Sequence, residues 1–195
     1  YPNAPSYIFA ALESVRSPPD FFGMSPPYLW KTLRGIVHAL RDLYAVGYFI
    51  TSHMQRDLVQ RPSEGAVPSI YLLLARTGNE LLSARKVTLT DDGVLQDVQE
   101  FKRGMVRGMR IRFRARGRDY VQELIYFDID LKDAALAETP GFPKFIHSLG
   151  PTHSFLKAAS YLMATKAFAR IRALVLKVSW TLFQDDTGIP LRILD

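Results

Sequence analysis

Ser154-Phe155-Leu156-Lys157 has the serine-x-x-lysine spacing in which one helical turn sets a lysine amine beside a serine hydroxyl. A desolvated, neutral lysine there takes the serine proton and makes the oxygen a nucleophile. The companion motifs of that chemistry are out of order. The only basic-Thr-Gly triplet, Arg76-Thr77-Gly78, precedes the serine instead of following it. The spacing is therefore read as a helix start with a solvated lysine. Lys157, Ser160 and Asp185 or Asp186 are the residues from which a hydrolytic site beside the C-terminal helices would have to be built. Adjacent strand residues point to opposite faces, so Asp185 and Asp186 do not converge on one substrate atom. Asp-Asp-Thr-Gly is ordinary turn chemistry, and Asp91-Asp92-Gly93 repeats it. His38, His53, His147 and His153 lack metal-ligand spacing, and there is no phosphate loop or dinucleotide fingerprint. The absence of Cys excludes disulfides, thiol nucleophiles and Cys-ligated zinc. No metal and no cofactor is expected.

The sharper signal is electrostatic. From Lys102 to Arg118 the chain carries eight of its 25 basic residues and no acid, while elsewhere acids outnumber bases. The net charge of +6 is thus one patch. Within it Arg110, Arg112, Arg114 and Arg116 alternate with Met109, Ile111, Phe113 and Ala115, the period of a strand with one buried face. Gly117-Arg118-Asp119 turns the chain, and a partner strand runs from Tyr120 to Leu131. A three-residue loop sets Val121, Glu123, Ile125 and Phe127 with the apolar face, and Tyr120, Gln122, Leu124 and Tyr126 with the arginines. A two-residue loop puts Val121 and Ile125 among the arginines. Because a one-residue slip exchanges whole faces, the first register is expected. It makes Arg110, Arg112, Arg114, Arg116, Tyr120 and Tyr126 a platform that stacks planar groups and holds anions. An anionic glycan, a lipid headgroup or nucleic acid fits its charge. The plainer alternative is a solvated sheet face whose charges deter edge pairing.

These residues need a scaffold, and 195 residues with 48% hydrophobic content suffice for one sizeable core. Ser6–Leu12 reads as a buried strand. Ser25 caps a helix with Pro26 first, and Leu29, Leu33, Ile36, Val37, Leu40, Leu43 and Tyr44 form its buried face until Gly47. An extended piece at Tyr48-Phe49-Ile50 and a short helix from Ser52 to Val59 follow. Pro68 starts a helix through Ala75, closed by Gly78, with a strand as the alternative. Val87 and Leu89 mark a strand that turns at Asp91-Asp92-Gly93 towards Val94-Leu95. Phe142 to Leu149, Pro151 to Met163, and the run marked by Phe168, Ile171, Val175 and Val178 read as helices. Trp180–Phe183 and Ile189–Leu194 read as a hairpin around the Asp-rich turn. No run approaches the roughly 18 apolar residues of a membrane span, so a soluble chain is expected.

Several stretches resemble an uncharacterised family of bacterial exported proteins. They are Phe155-Leu156-Lys157-Ala158-Ala159-Ser160-Tyr161-Leu162-Met163, Gln184-Asp185-Asp186-Thr187-Gly188-Ile189-Pro190, Tyr1-Pro2-Asn3-Ala4-Pro5-Ser6-Tyr7, Leu74-Ala75-Arg76-Thr77-Gly78 and Tyr126-Phe127-Asp128-Ile129-Asp130. The family carries His after the Met, where this chain has Ala164. It also carries an aromatic-Pro-Phe-Ser-Gly-Pro-Asp segment upstream that is absent here, in keeping with ends expected to be trimmed. The resemblance implies export to the periplasm or cell envelope and implies no activity.

The expectation is one α+β domain over residues 1–195, a mainly antiparallel sheet with helices packed on one face. The expected function is a non-enzymatic, exported envelope or binding protein that meets an anionic ligand on the arginine strand, with a Lys/Ser/Asp hydrolase as the alternative.

Overall fold

The structure, a computed structural model, describes residues 9–11, 23–46, 66–156, 163–184 and 188–193. Helix α1 spans Pro26–Val46 and begins where Pro26 supplies a preset φ at a position that needs no N–H donor. On its expected apolar face Leu29 and Leu33 are half-buried and Val37 is exposed, while Thr32, outside that set, is buried. The side chains of Ile36, Leu40, Leu43 and Tyr44 lie outside the described residues, as do the elements expected between residues 48 and 59. Helix α2 spans Ala66–Arg76, two residues longer at its start than Pro68 indicates. Gly78, at φ +79°, lets the chain leave it: Asn79 N–H donates to the Leu74 carbonyl and Gly78 N–H to that of Ala75, each at 3.1 Å. That pair of bonds satisfies two of the carbonyls a helix end leaves open.

Five strands form one sheet: β1 (Phe9–Ala11), β2 (Glu80–Leu89), β3 (Leu95–Asp97), β4 (Arg107–Arg114) and β5 (Val121–Asp128), in the order β1-β5-β4-β2-β3. Four of them are antiparallel, and β1 is added parallel to β5 at the edge, Phe9 opposite Tyr126. The α+β class read from the sequence is the observed one. Between β2 and β3, Leu89 faces Leu95 across the Asp91-Asp92-Gly93 turn, where Gly93 takes φ +81°.

Contacts divide the chain into two compact units. One comprises Tyr1–Leu12, Arg85–Arg110 and Leu124–Asp195, the other Glu13–Ala84 and Ile111–Glu123. The first unit holds the large core. Helices α3 (Asp133–Glu138), α4 (Gly141–Ser148) and α5 (Ala169–Val178) give Leu136, Phe142, Phe145, Ile171, Leu174 and Val178 to it, against Val87, Leu89 and Phe127 of the sheet. Phe127 meets the edges of Phe142 and Phe145, with ring centroids 6.0 and 5.5 Å away at 88° and 79°. This is the T-shaped geometry that adds to area burial. The short α3 was not legible in sequence, being under two turns long, and its Asp133 carboxylate accepts the Arg170 N–H at 2.9 Å, capping α5 from another element.

The C-terminal region departs from expectation. Thr152–Leu156 is a strand, β6, not the first part of a helix. Its partner is β7 (Ser179–Gln184), and the pairing is parallel, so the strand expected at Trp180–Phe183 is present with a different neighbour. Leu191–Ile193 forms a 3-10 turn instead of a returning strand. Parallel strands need a crossover, and α5 supplies it, leading directly into Ser179. Ser179 donates to the Val175 carbonyl at 2.5 Å and is 2.6 Å from the Ser154 hydroxyl, which lies 3.2 Å from that of buried Thr152. The buried hydroxyls of Thr152 and Ser154 therefore both have partners, and this network requires the strand pairing. The Gln184 side-chain amide exchanges two hydrogen bonds with the Ile189 backbone, at 2.8 and 2.9 Å, taking the place of a ladder partner.

The β2–β3 turn docks on the start of α4. A Cβ added at Gly141 would overlap the Thr90 carbonyl oxygen, and one at Gly93 would lie 2.7 Å from the Phe145 nitrogen. Neither contact involves a flexible side-chain end that could yield. Gly141→Ala is expected to lower stability by about 2 kcal/mol, in the range for overpacking, measured by urea denaturation; a loss under about 0.5 kcal/mol contradicts the contact.

Candidate anion-contacting site

Strand β4 carries Arg110, Arg112 and Arg114 as the alternation predicts, and each has a carboxylate partner. Arg110 Nη2 lies 2.5 Å from Asp97 Oδ1, whose other oxygen is 3.2 Å from Arg85 Nη1. Arg112 Nε lies 3.3 Å from Glu123 Oε1, and Arg114 Nη1 lies 2.5 Å from Glu80 Oε2. The basic run contains no acid, but the neighbouring strands supply one to each of these arginines. These partners were missed because Glu80 and Asp97 are remote in sequence and Glu123 was assigned to the other face.

The expected register is overturned at that point. The ion pair puts Glu123 on the same face as Arg112, and a Cβ on Gly108 would lie 2.7 Å from the Phe127 ring, which puts Phe127 on the face of Gly108 and hence of Arg110. The strands end at Arg114 and resume at Val121, so the connection is wider than a three-residue loop. In the first unit, the face carrying Arg110 is the one that packs on the helices: Asp97, its partner, stands opposite the core residue Val87. The apolar face is buried as well, with Met109 at 2% and Tyr126 at 0% exposure. Adjacent Tyr126 and Phe127 are both buried, so both sides of the sheet are covered there. Tyr126 is consequently withdrawn from the proposed platform. The slip avoided in the sequence reading costs little, because Val121 sits near the strand start, partly exposed, and Ile125 packs against the core.

The hairpin connection retains solvent-facing groups. Arg116, Arg118 and Tyr120 are exposed, and neither arginine has a carboxylate partner among the described residues. Arg118 N–H donates to the Ala115 carbonyl at 3.0 Å, closing a turn, and its guanidinium lies 5.8 Å from the Tyr120 ring centroid, within cation–π range. Arg116 passes over Gly78, whose added Cβ would be 3.3 Å from Arg116 Cδ. Asp119, also exposed, is the one carboxylate within the connection.

The weak catalytic candidates Lys157, Ser160, Asp185 and Asp186 lie outside the described residues. Ser154, the serine of the lysine-spaced motif, is described and buried on a strand. Ser154 to Leu156 are extended, not helical as expected. Among the described residues no three His, Asp or Glu side chains group as a metal site. His38 and His147 are exposed, and His153 lies edge-on to Trp180 with centroids 6.4 Å apart. No described helix is long and apolar enough to cross a membrane.

No family model matches this chain, and neither does any curated protein sequence or solved structure.

The Arg112–Glu123 pair is about half exposed, so its contribution is screened. A double-mutant cycle with Arg112→Gln and Glu123→Gln is expected to give a coupling of roughly 0.2–1 kcal/mol by denaturant unfolding; a coupling indistinguishable from zero at low salt argues against the observed register.

Proposed function

We propose that the protein is a non-enzymatic, exported binding protein that contacts an anionic partner through the β4–β5 connection. The observation that carries this reading is that Arg116 and Arg118 are both exposed in this connection without carboxylate partners among the described residues, with the Arg118 guanidinium 5.8 Å from the ring of exposed Tyr120. Arginine forks suit sulfate, carboxylate and phosphate oxygens, and the phenol adds a flat face for a sugar ring or a base. Arg110, Arg112 and Arg114 take a lesser part, since an incoming anion must first displace a carboxylate from each. Placement in the periplasm or cell envelope rests on the family resemblance and favours an anionic glycan over nucleic acid.

Heparin, single-stranded DNA and anionic vesicles titrated at two salt concentrations test this. Arg116→Ala/Arg118→Ala is expected to weaken heparin binding about thirty-fold at low salt, at about 1 kcal/mol per basic residue. Arg110→Ala/Arg112→Ala/Arg114→Ala should weaken it less. Unchanged binding in the Arg116/Arg118 variant overturns the assignment, and a stronger response to DNA or vesicles than to heparin overturns the glycan preference.

A further inference from the structure

A cleft lies in the first unit, between α4 and α5. Leu136, Pro143 and Leu174 line this cleft of about 340 Å³, within the size range of small-molecule pockets. Leu136 and Leu174 are core residues, at 3% and 7% exposure, and close the floor of the cleft. The remaining polar lining is basic: His147 from the last turn of α4, and Arg170 and Lys177 from α5. All three are exposed, and none has a carboxylate partner among the described residues. Asp133, the nearby acid, is held by the Arg170 backbone N–H.

Arg170 and Lys177 are seven residues apart, two helical turns, so they lie on one face about 10 Å from each other. Ala173 and Leu174 fill the space between them on that face. Cationic ends around an apolar strip of that length complement a single alkyl chain with an anionic head. A neutral apolar ligand would leave the cations unused, and a cationic one would be repelled.

We infer that this cleft binds an amphiphilic anion of medium chain length, the chain lying over Pro143 and Ala173 above the floor of Leu136 and Leu174 and the head held by Arg170, Lys177 or His147. The signal was present in the sequence as Arg170-Ile171-Arg172-Ala173-Leu174-Val175-Leu176-Lys177, but only the packing of α4 beside α5 makes a cleft of it.

Calorimetric titration of the intact chain with decanoate and with decyl phosphate, below their micellar concentrations, tests the inference. Saturable binding of either is expected, and their relative affinity separates a fatty carboxylate from a phosphate headgroup. Arg170→Ala/Lys177→Ala should weaken binding at least ten-fold. Ala173→Glu, an exposed and helix-compatible change that sets a carboxylate between the two cations, should do the same. Decyltrimethylammonium and acetate should not bind. Arg116→Ala/Arg118→Ala should bind decanoate as the unaltered chain does, which keeps this site separate from the hairpin. Lack of saturable binding, equal affinity for the cationic amphiphile, or unchanged affinity in the two cleft variants with native circular dichroism overturns the inference.

Discussion

The contact between the Thr90 carbonyl and Gly141 constrains the first unit more than any other. It works because two glycines meet at one place: Gly93 turns the β2–β3 hairpin with positive φ, and Gly141 opens α4 with no side chain to hold the hairpin off. That approach fixes the height of α4 over the sheet. Phe142 and Phe145 can then both reach the edges of Phe127, and the rest of the core, from Leu136 to Val178, closes around that aromatic group. The helix pair that frames the basic cleft is held in place by the same packing.

Charge is arranged on a different principle. The arginine strand looks in isolation like an unbalanced polycation, but the sheet sets Asp97, Glu80 and Glu123 against Arg110, Arg114 and Arg112. Partly exposed pairs of this kind add little stability, yet they lower the field that an approaching anion meets. Where the chain leaves the sheet, Arg116 and Arg118 have no carboxylate partner among the described residues, and exposed positive charge collects at the hairpin connection.

In the C-terminal region polar groups decide the pairing. Thr152, Ser154 and Ser179 are hydroxyl residues that a solvated loop or helix end would accommodate equally well. Once buried they need partners, and the parallel alignment of β6 with β7 provides them. The same alignment places Ser154, the serine of the serine-x-x-lysine motif, on a strand instead of at a helix start.

Local patterning determined much of what was read correctly. The proline start of α1, the glycine exit from α2, the Asp-Asp-Gly turn, the apolar spacing of α4 and α5 and the alternation of β4 are each written in a few consecutive residues, because backbone preference and face periodicity act over one or two turns. Tertiary structure alone decided the register of β4 against β5, the burial of Tyr126, the carboxylates beside Arg110, Arg112 and Arg114 and the parallel pairing of β6 with β7. Those outcomes depend on which faces the rest of the chain covers. A strand buried on both sides no longer distinguishes an inner from an outer set of residues, and a charge pair between Arg114 and Glu80 spans 34 positions that no local pattern connects.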